Sequence, residues 1–135
     1  MDFLFDANMP ARLAKGLALI DRENLNGNVI NIFHVDDLLG MGATDEQVIL
    51  KANEINAVIV SEDSDFKTVR RNKELVKKLK VGYVLYKPPS HGSRYWEKAI
   101  SIILAWEKLK ENVKKNTKPF MIKIDKKGEI HEETF

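Results

Sequence analysis

The sequence has no cysteine, so disulfides and cysteine-ligated zinc are excluded and a reducing cytoplasm is the natural setting. It has three histidines, His34, His91 and His131, and none stands at metal-ligand spacing from another. No apolar run approaches the ~18 residues of a membrane span. The opening stretch, "MDFLFDANMP", lacks the basic start and long apolar segment of a signal peptide. Neither sign of charge dominates: 22 basic residues face 20 acidic ones, for a formal charge of +2. Total charge therefore names no partner, and any electrostatic signal must come from how the charges are distributed. Internal repeats and low-complexity segments are also missing. What remains is a chain of 135 residues, 44% hydrophobic and 31% charged, which suits one soluble cytoplasmic domain with a real core.

The apolar pattern alternates between strand and helix. "FLFD" (3–6) predicts a buried strand, and Pro10 suits the first turn of a helix carrying Leu13, Leu17 and Ile20. "ENLNGN" is a turn cluster, "VINIFHV" a second strand and "DDLLGMGAT" a loop. Thr44 with Gln47 three residues later is a capping-box signature for a helix bearing Val48, Ile49, Ala52 and Ile55. "AVIVS" runs apolar without alternation, as strands of a parallel sheet do when both faces are covered. A helix with Leu75, Val76 and Leu79 inward precedes the fourth strand, "VGYVLY". After the loop "KPPSHGS", Ser93 is placed to cap a long helix with Trp96, Ile100, Ile103, Leu104 and Val113 along its apolar side. The tail reads as a hairpin turning at Gly128. The expected fold is α/β with a mostly parallel central sheet. Residues 1–90 form its core, and 91–135 are a C-terminal helix and hairpin appendage. That hairpin is either an extra edge on the sheet or an oligomer contact. Trp96, Trp106, Phe120, Ile122 and Ile124 offer more apolar surface than one short sheet needs, which predicts a homo-oligomer.

Acidic residues collect where strands end. In open parallel sheets, sites form beyond the carboxyl ends of the strands. The first strand delivers Asp6 there, and the third delivers Asp63 and Asp65 in "VIVSEDSDF". The helix opened by Thr44 brings Asp45 and Glu46 to the same edge. Each acid has a plain structural account: Asp6 or Asn8 as a helix cap, Asp45 and Glu46 as favourable charges in a first helical turn. Their convergence asks for a cation, because neighbouring carboxylates cannot all ionise cheaply. Mg²⁺ or Mn²⁺ on Asp6, Asp63 and Asp65 would resolve the conflict and activate a water toward a phosphodiester.

A basic segment begins two residues after Asp65. It includes Lys67, Arg70, Arg71 and Lys73, and only Glu74 opposes it in the stretch 67–80. Such a flank suits a polyanion such as RNA, or else it is a solvated helix face.

"FLFDANMPARLAKGL", "GATDEQVILKA" and "VIVSEDSDF" together resemble the PIN-like domains, in particular the compact ones of prokaryotic toxin–antitoxin loci. The resemblance spans about residues 3–86. It implies an α/β/α sandwich and a magnesium-dependent ribonuclease site on Asp6, Asp45, Asp63 and Asp65, with Asn8 and Glu46 in support. It also implies single-stranded or structured RNA as substrate and a cognate antitoxin protein as partner. The stretch 18–33 is longer than the helix-to-strand turn of that pattern, and the C-terminal third matches no part of it. A PIN-like module that binds RNA or protein without cutting shares every motif. A phospho-acceptor receiver fits worse, since Asp6 is followed by Ala7 and Asn8 rather than by a second acid.

Overall fold

The structure is a computed structural model that describes residues 1–62, 70–90, 92 and 94–134. Its sheet has six strands in the order β2-β1-β3-β4-β5-β6. They are β1 (Asp2–Phe5), β2 (Asn31–His34), β3 (Ala57–Glu62), β4 (Gly82–Tyr86), β5 (Phe120–Ile124) and β6 (Ile130–Glu133). The first five run parallel, and β6 returns antiparallel as the edge. All five residues of β4 and the first five of β3 are buried, as strands covered on both faces must be.

Helices cover both faces. On one lie α1 (Ala11–Ile20) and the long α6 (Tyr95–Lys115), whose Leu13, Leu17, Ile102, Trp106 and Leu109 pack on Phe3, Phe5, Val58, Val60, Val84 and Ile122. On the other lie α3 (Val35–Leu39), α4 (Asp45–Glu54) and α5 (Lys73–Leu79), packed on Leu4, Ile59, Tyr83 and Leu85. The short α2 (Arg22–Leu25) follows α1. Thr44 closes the expected capping box: Gln47 N–H donates to its hydroxyl and its own N–H donates to the Gln47 side chain. At the start of β4 only glycine fits. A Cβ on Gly82 would lie 2.5 Å from the ring of Phe120, its register partner on β5.

The C-terminal third completes the sandwich. β5 is the fifth parallel strand, α6 covers a face with α1, and the hairpin's β6 is an extra edge on the sheet. Trp106, Phe120, Ile122 and Ile124, expected as spare apolar surface, are core residues. The apolar side of α6 is also not the one its sequence suggests. Ala99, Ile102, Ala105, Trp106, Leu109 and Val113 face the sheet, while Trp96, Ile100, Ile103 and Leu104 are exposed. Ile20 likewise points outward. Part of the expected loop after β2 forms α3, capped by His34, and part of the turn cluster after α1 forms α2, capped by Asp21. Ser93 lies outside the described residues, and the residue just before α6 is Arg94, whose side chain makes no cap hydrogen bond.

A buried ion pair decides the rotation of α6. Lys110 Nζ donates to Asp21 Oδ2 at 2.9 Å, with side chains 1% and 0% exposed. Trp106 Nε1–H donates to the same oxygen at 2.7 Å. Glu23 N–H donates to Asp21 Oδ1, while the Glu23 carboxylate accepts from Lys110 and Lys114. Burial by itself would raise the Asp21 pKa, but the bonds from Trp106, Lys110 and the Glu23 backbone outweigh it and hold the carboxyl below its usual range. Burial likewise pulls Lys110 down, and its bonds to Asp21, Glu107 and Glu23 lift it above the ordinary lysine value.

The pair's contribution to stability has a definite pH window. The Asp21 part is present above the ordinary carboxylate pKa of ~3.9 and fades as pH falls through its lowered folded value. The Lys110 part is present below ~10.4 and fades as pH rises through its raised folded value. Lys110→Met leaves the Asp21 charge buried and unpaired, and should cost about 3–5 kcal/mol in urea unfolding at pH 7. The double variant Asp21→Asn with Lys110→Met keeps the cap and removes the stranded charge, so it should be more stable than Lys110→Met, but short of wild type because the Asn amide nitrogen cannot accept the Trp106 N–H. A single variant as stable as wild type would contradict the assignment.

Candidate active site

The crevice follows from where the chain goes after each strand. From β1 it passes to α1 on one face, and after β3 it reaches α5 on the other, although β1 and β3 are neighbours in the sheet. In doubly wound sheets, neighbouring strands followed by helices on opposite faces mark the crevice at their carboxyl ends, and β1 and β3 are such a pair. Parallel register pairs Phe5 with Val60, which brings the next residues, Asp6 and Ser61, side by side. Asp6 N–H continues the ladder to Val60 O at 2.9 Å.

Around Asp6 the polar groups are mutually satisfied. Ser61, 1% exposed, donates from Oγ to Asp6 Oδ2 at 2.9 Å, and Ala7 N–H donates to Oδ1 at 2.8 Å. Asn8 clamps the end of β3. Its Nδ2 donates to Glu62 O at 2.6 Å and its Oδ1 accepts Glu62 N–H at 3.1 Å, as a neighbouring strand would. His34, buried at the end of β2, lies 2.8 Å from Met9 O through Nε2, while its Nδ1 accepts Asp36 N–H. That pairing selects the tautomer with the proton on Nε2 and pins the loop between β1 and α1. Glu62 meets Lys98 of α6 at 2.9 Å. Among the described residues, then, Asp6 carries only neutral donors, while Glu62 has a cation. No ion pair reaches Asp6 or Asp45 among the described residues.

Asp45 and Glu46 occupy the first turn of α4, half-buried and exposed respectively, and α4 starts on the side of the sheet where β2 ends. Asp63, Asp65 and Lys67 lie outside the described residues. Arg70 and Arg71 are exposed, and Lys73 is half-buried at the start of α5. Among the described residues Asp6 and Asp45 do not join a three-ligand cluster. The group that does is Asp125, Glu129 and His131, whose ligating atoms lie within 4.8 Å of one another. Asp125 already has work in the hairpin. Oδ1 accepts Lys127 and Glu129 N–H groups, and Oδ2 pairs with His131 Nε2 at 2.7 Å. The His131 bond, chiefly, holds the Asp125 pKa below its usual range. This cluster is read as a lock on the hairpin turn.

Three participants escaped the sequence reading. Ser61 was visible as a lone hydroxyl at the end of an apolar strand, one step before the acids. His34 falls near the end of the expected second strand, and its anchoring of Met9 carries no local signal. Lys98 lies 36 residues from Glu62, so nothing local announces that pair.

A family model described as PIN like domain matches residues 1–87. The match covers Asp6, Asn8, Asp45, Glu46, Asp63 and Asp65. No curated protein and no solved structure matches the chain.

Ser61→Ala tests how Asp6 is held. Loss of a buried hydrogen bond to a charged group should cost about 2 kcal/mol of stability. Urea unfolding reads that loss. Ser61→Thr keeps the hydroxyl and should retain more stability than the alanine variant does.

Proposed function

The chain belongs to the PIN-like domain family, and on that premise we propose that it is a divalent-metal-dependent ribonuclease, acting as the toxin of a toxin–antitoxin pair. PIN-like domains are generally nucleases and typically use divalent metals. The observation that carries the proposal is Asp6: a carboxylate fixed by Ser61 and the Ala7 N–H at the cleft where the sheet connections diverge, with no cation beside it among the described residues.

The donor set fits a hard ion. Asp6 would hold Mg²⁺ or Mn²⁺ together with Asp63 and Asp65, and Asp45 would approach from the start of α4. Each Asp6 oxygen accepts one hydrogen bond, which leaves a lone pair on each for a metal. The bound ion would supply an activated water and offset charge on the phosphodiester. The chain's own residues do the rest. Ser61 and Asn8 hold Asp6 and the end of β3 in place. Lys98 neutralises Glu62, so that carboxylate adds no repulsion to an approaching phosphate. Arg70, Arg71 and Lys73, with Lys67, would contact phosphates beside the scissile bond, which positions the RNA without reading its bases.

Asp6→Asn and Asp63→Asn should abolish Mn²⁺-dependent cleavage of single-stranded RNA, and each should blunt the rise in melting temperature on adding Mn²⁺. Equal thermal shifts in wild type and variants would remove the metal assignment. Metal binding without cleavage would instead favour a non-catalytic RNA-binding or protein-binding module.

Changing Arg70 and Arg71 to Ala should weaken binding of all single-stranded RNAs by similar factors. The log–log salt slope should fall by roughly 0.7 per lost phosphate contact. An unchanged slope, measured by titration at several salt concentrations, would return both residues to ordinary surface.

A further inference from the structure

We propose that Lys87 is a catalytic residue of the ribonuclease site, its ammonium holding a nonbridging oxygen of the scissile phosphate opposite Asp6. This role rests on the ribonuclease reading above and adds a residue to it. The stretch "KPP" (87–89) begins where β4 reaches the sheet edge that carries Asp6. A residue before proline is confined to extended backbone, so Pro88 keeps Lys87 in the geometry of the strand it follows. The Lys87 N–H accordingly continues the ladder and donates to Ile124 O at 2.9 Å.

Extended backbone sends successive side chains to opposite faces. Val84 and Tyr86 pack with α1 and α6, whereas Tyr83 and Leu85 pack with α3, α4 and α5. Alternation therefore assigns Lys87 to the second face. Asp6 follows Phe5 and Ser61 follows Val60, both of the first face, so Asp6 and Ser61 also fall on the second, where they meet. Glu62 and Lys98 pair instead on the α6 side. The edge thus sorts its charges. One face holds an acid and a lysine already paired. The other holds Asp6 and Lys87, both half-buried and in no ion pair among the described residues.

The register sets their separation. Asp6 stands level with Ser61, and Ser61 with Leu85, so Lys87 lies two strands over and two residues further along. At ~4.8 Å between strands and ~3.3 Å per residue, that is about 12 Å between Cα atoms. Such a span takes one phosphate between a carboxylate at one end and a lysine reaching from the other. An ammonium is a compact point charge, suited to a phosphate oxygen. In the hydrolysis, the oxygen of water bonds to phosphorus as the bond to one ribose oxygen breaks. The ribose oxygen leaves with the bonding pair and takes a proton from solvent, and the attacking water loses one to solvent. Lys87 keeps its own proton and offsets the charge on the nonbridging oxygens.

Single-turnover cleavage of single-stranded RNA with Mn²⁺ tests this role. At saturating enzyme, Lys87→Gln should cleave about 10²-fold more slowly. Its melting temperature, and the rise on adding Mn²⁺, should match wild type. Lys87→Arg keeps the charge and should cleave about tenfold faster than the glutamine variant. A lysine that merely offsets the neighbouring acids gives another pattern: unchanged cleavage, a lower melting temperature without metal, and a larger rise with Mn²⁺. That pattern, or an arginine variant as slow as the glutamine variant, overturns the role of Lys87 and leaves the ribonuclease reading standing. A wild type that does not cleave removes that reading and this role with it.

Discussion

The buried pair between Asp21 and Lys110 sets the rotation of α6, and much of the molecule depends on that angle. A lysine taken out of water must find a carboxylate, and Asp21 stands only at the corner between α1 and α2. Meeting it turns Trp106 and Leu109 onto the sheet and leaves Trp96, Ile100 and Leu104 outside. The same rotation lays Lys98 against Glu62 at the mouth of the cleft. One desolvated ion pair thereby links the far end of the helix to the composition of the site.

At the cleft the acids are treated differently according to position. Glu62 ends its strand with a lysine beside it, whereas Asp6 is held by a hydroxyl and a backbone N–H. Neutral donors orient a carboxylate without cancelling its charge, so the field at Asp6 stays available to a cation. A salt bridge in the same place would have satisfied the geometry and removed the attraction. The hairpin cluster shows the contrasting case, because the Asp125 oxygens are already used by two backbone N–H groups and a histidine. Proximity of ligating atoms alone therefore does not distinguish a metal site from a turn lock.

The strand order also occurs in other doubly wound folds, so architecture locates the cleft without choosing its chemistry. What narrows the chemistry is the family match over residues 1–87 together with which acids reach that edge. The remaining third of the chain closes the sandwich, supplies Lys98 to the cleft, and carries the outer apolar stripe on the face of α6 turned from the sheet.

Local signals were enough for every strand, for the capping box at Thr44 and for the turn at Gly128, because each depends on residues a few positions apart. The placement of Asp6 at the end of the first strand was legible for the same reason. Tertiary structure alone decided the partnership of Asp6 with Ser61, since it needs the parallel register of two strands separated by most of the first sixty residues. It also decided which stripe of α6 is buried. That helix carries apolar residues on two sides, one stripe through Trp96 and Leu104 and another through Trp106 and Leu109. The choice came from Asp21, far away in sequence, because a buried carboxylate and a buried ammonium stabilise the fold only when they meet.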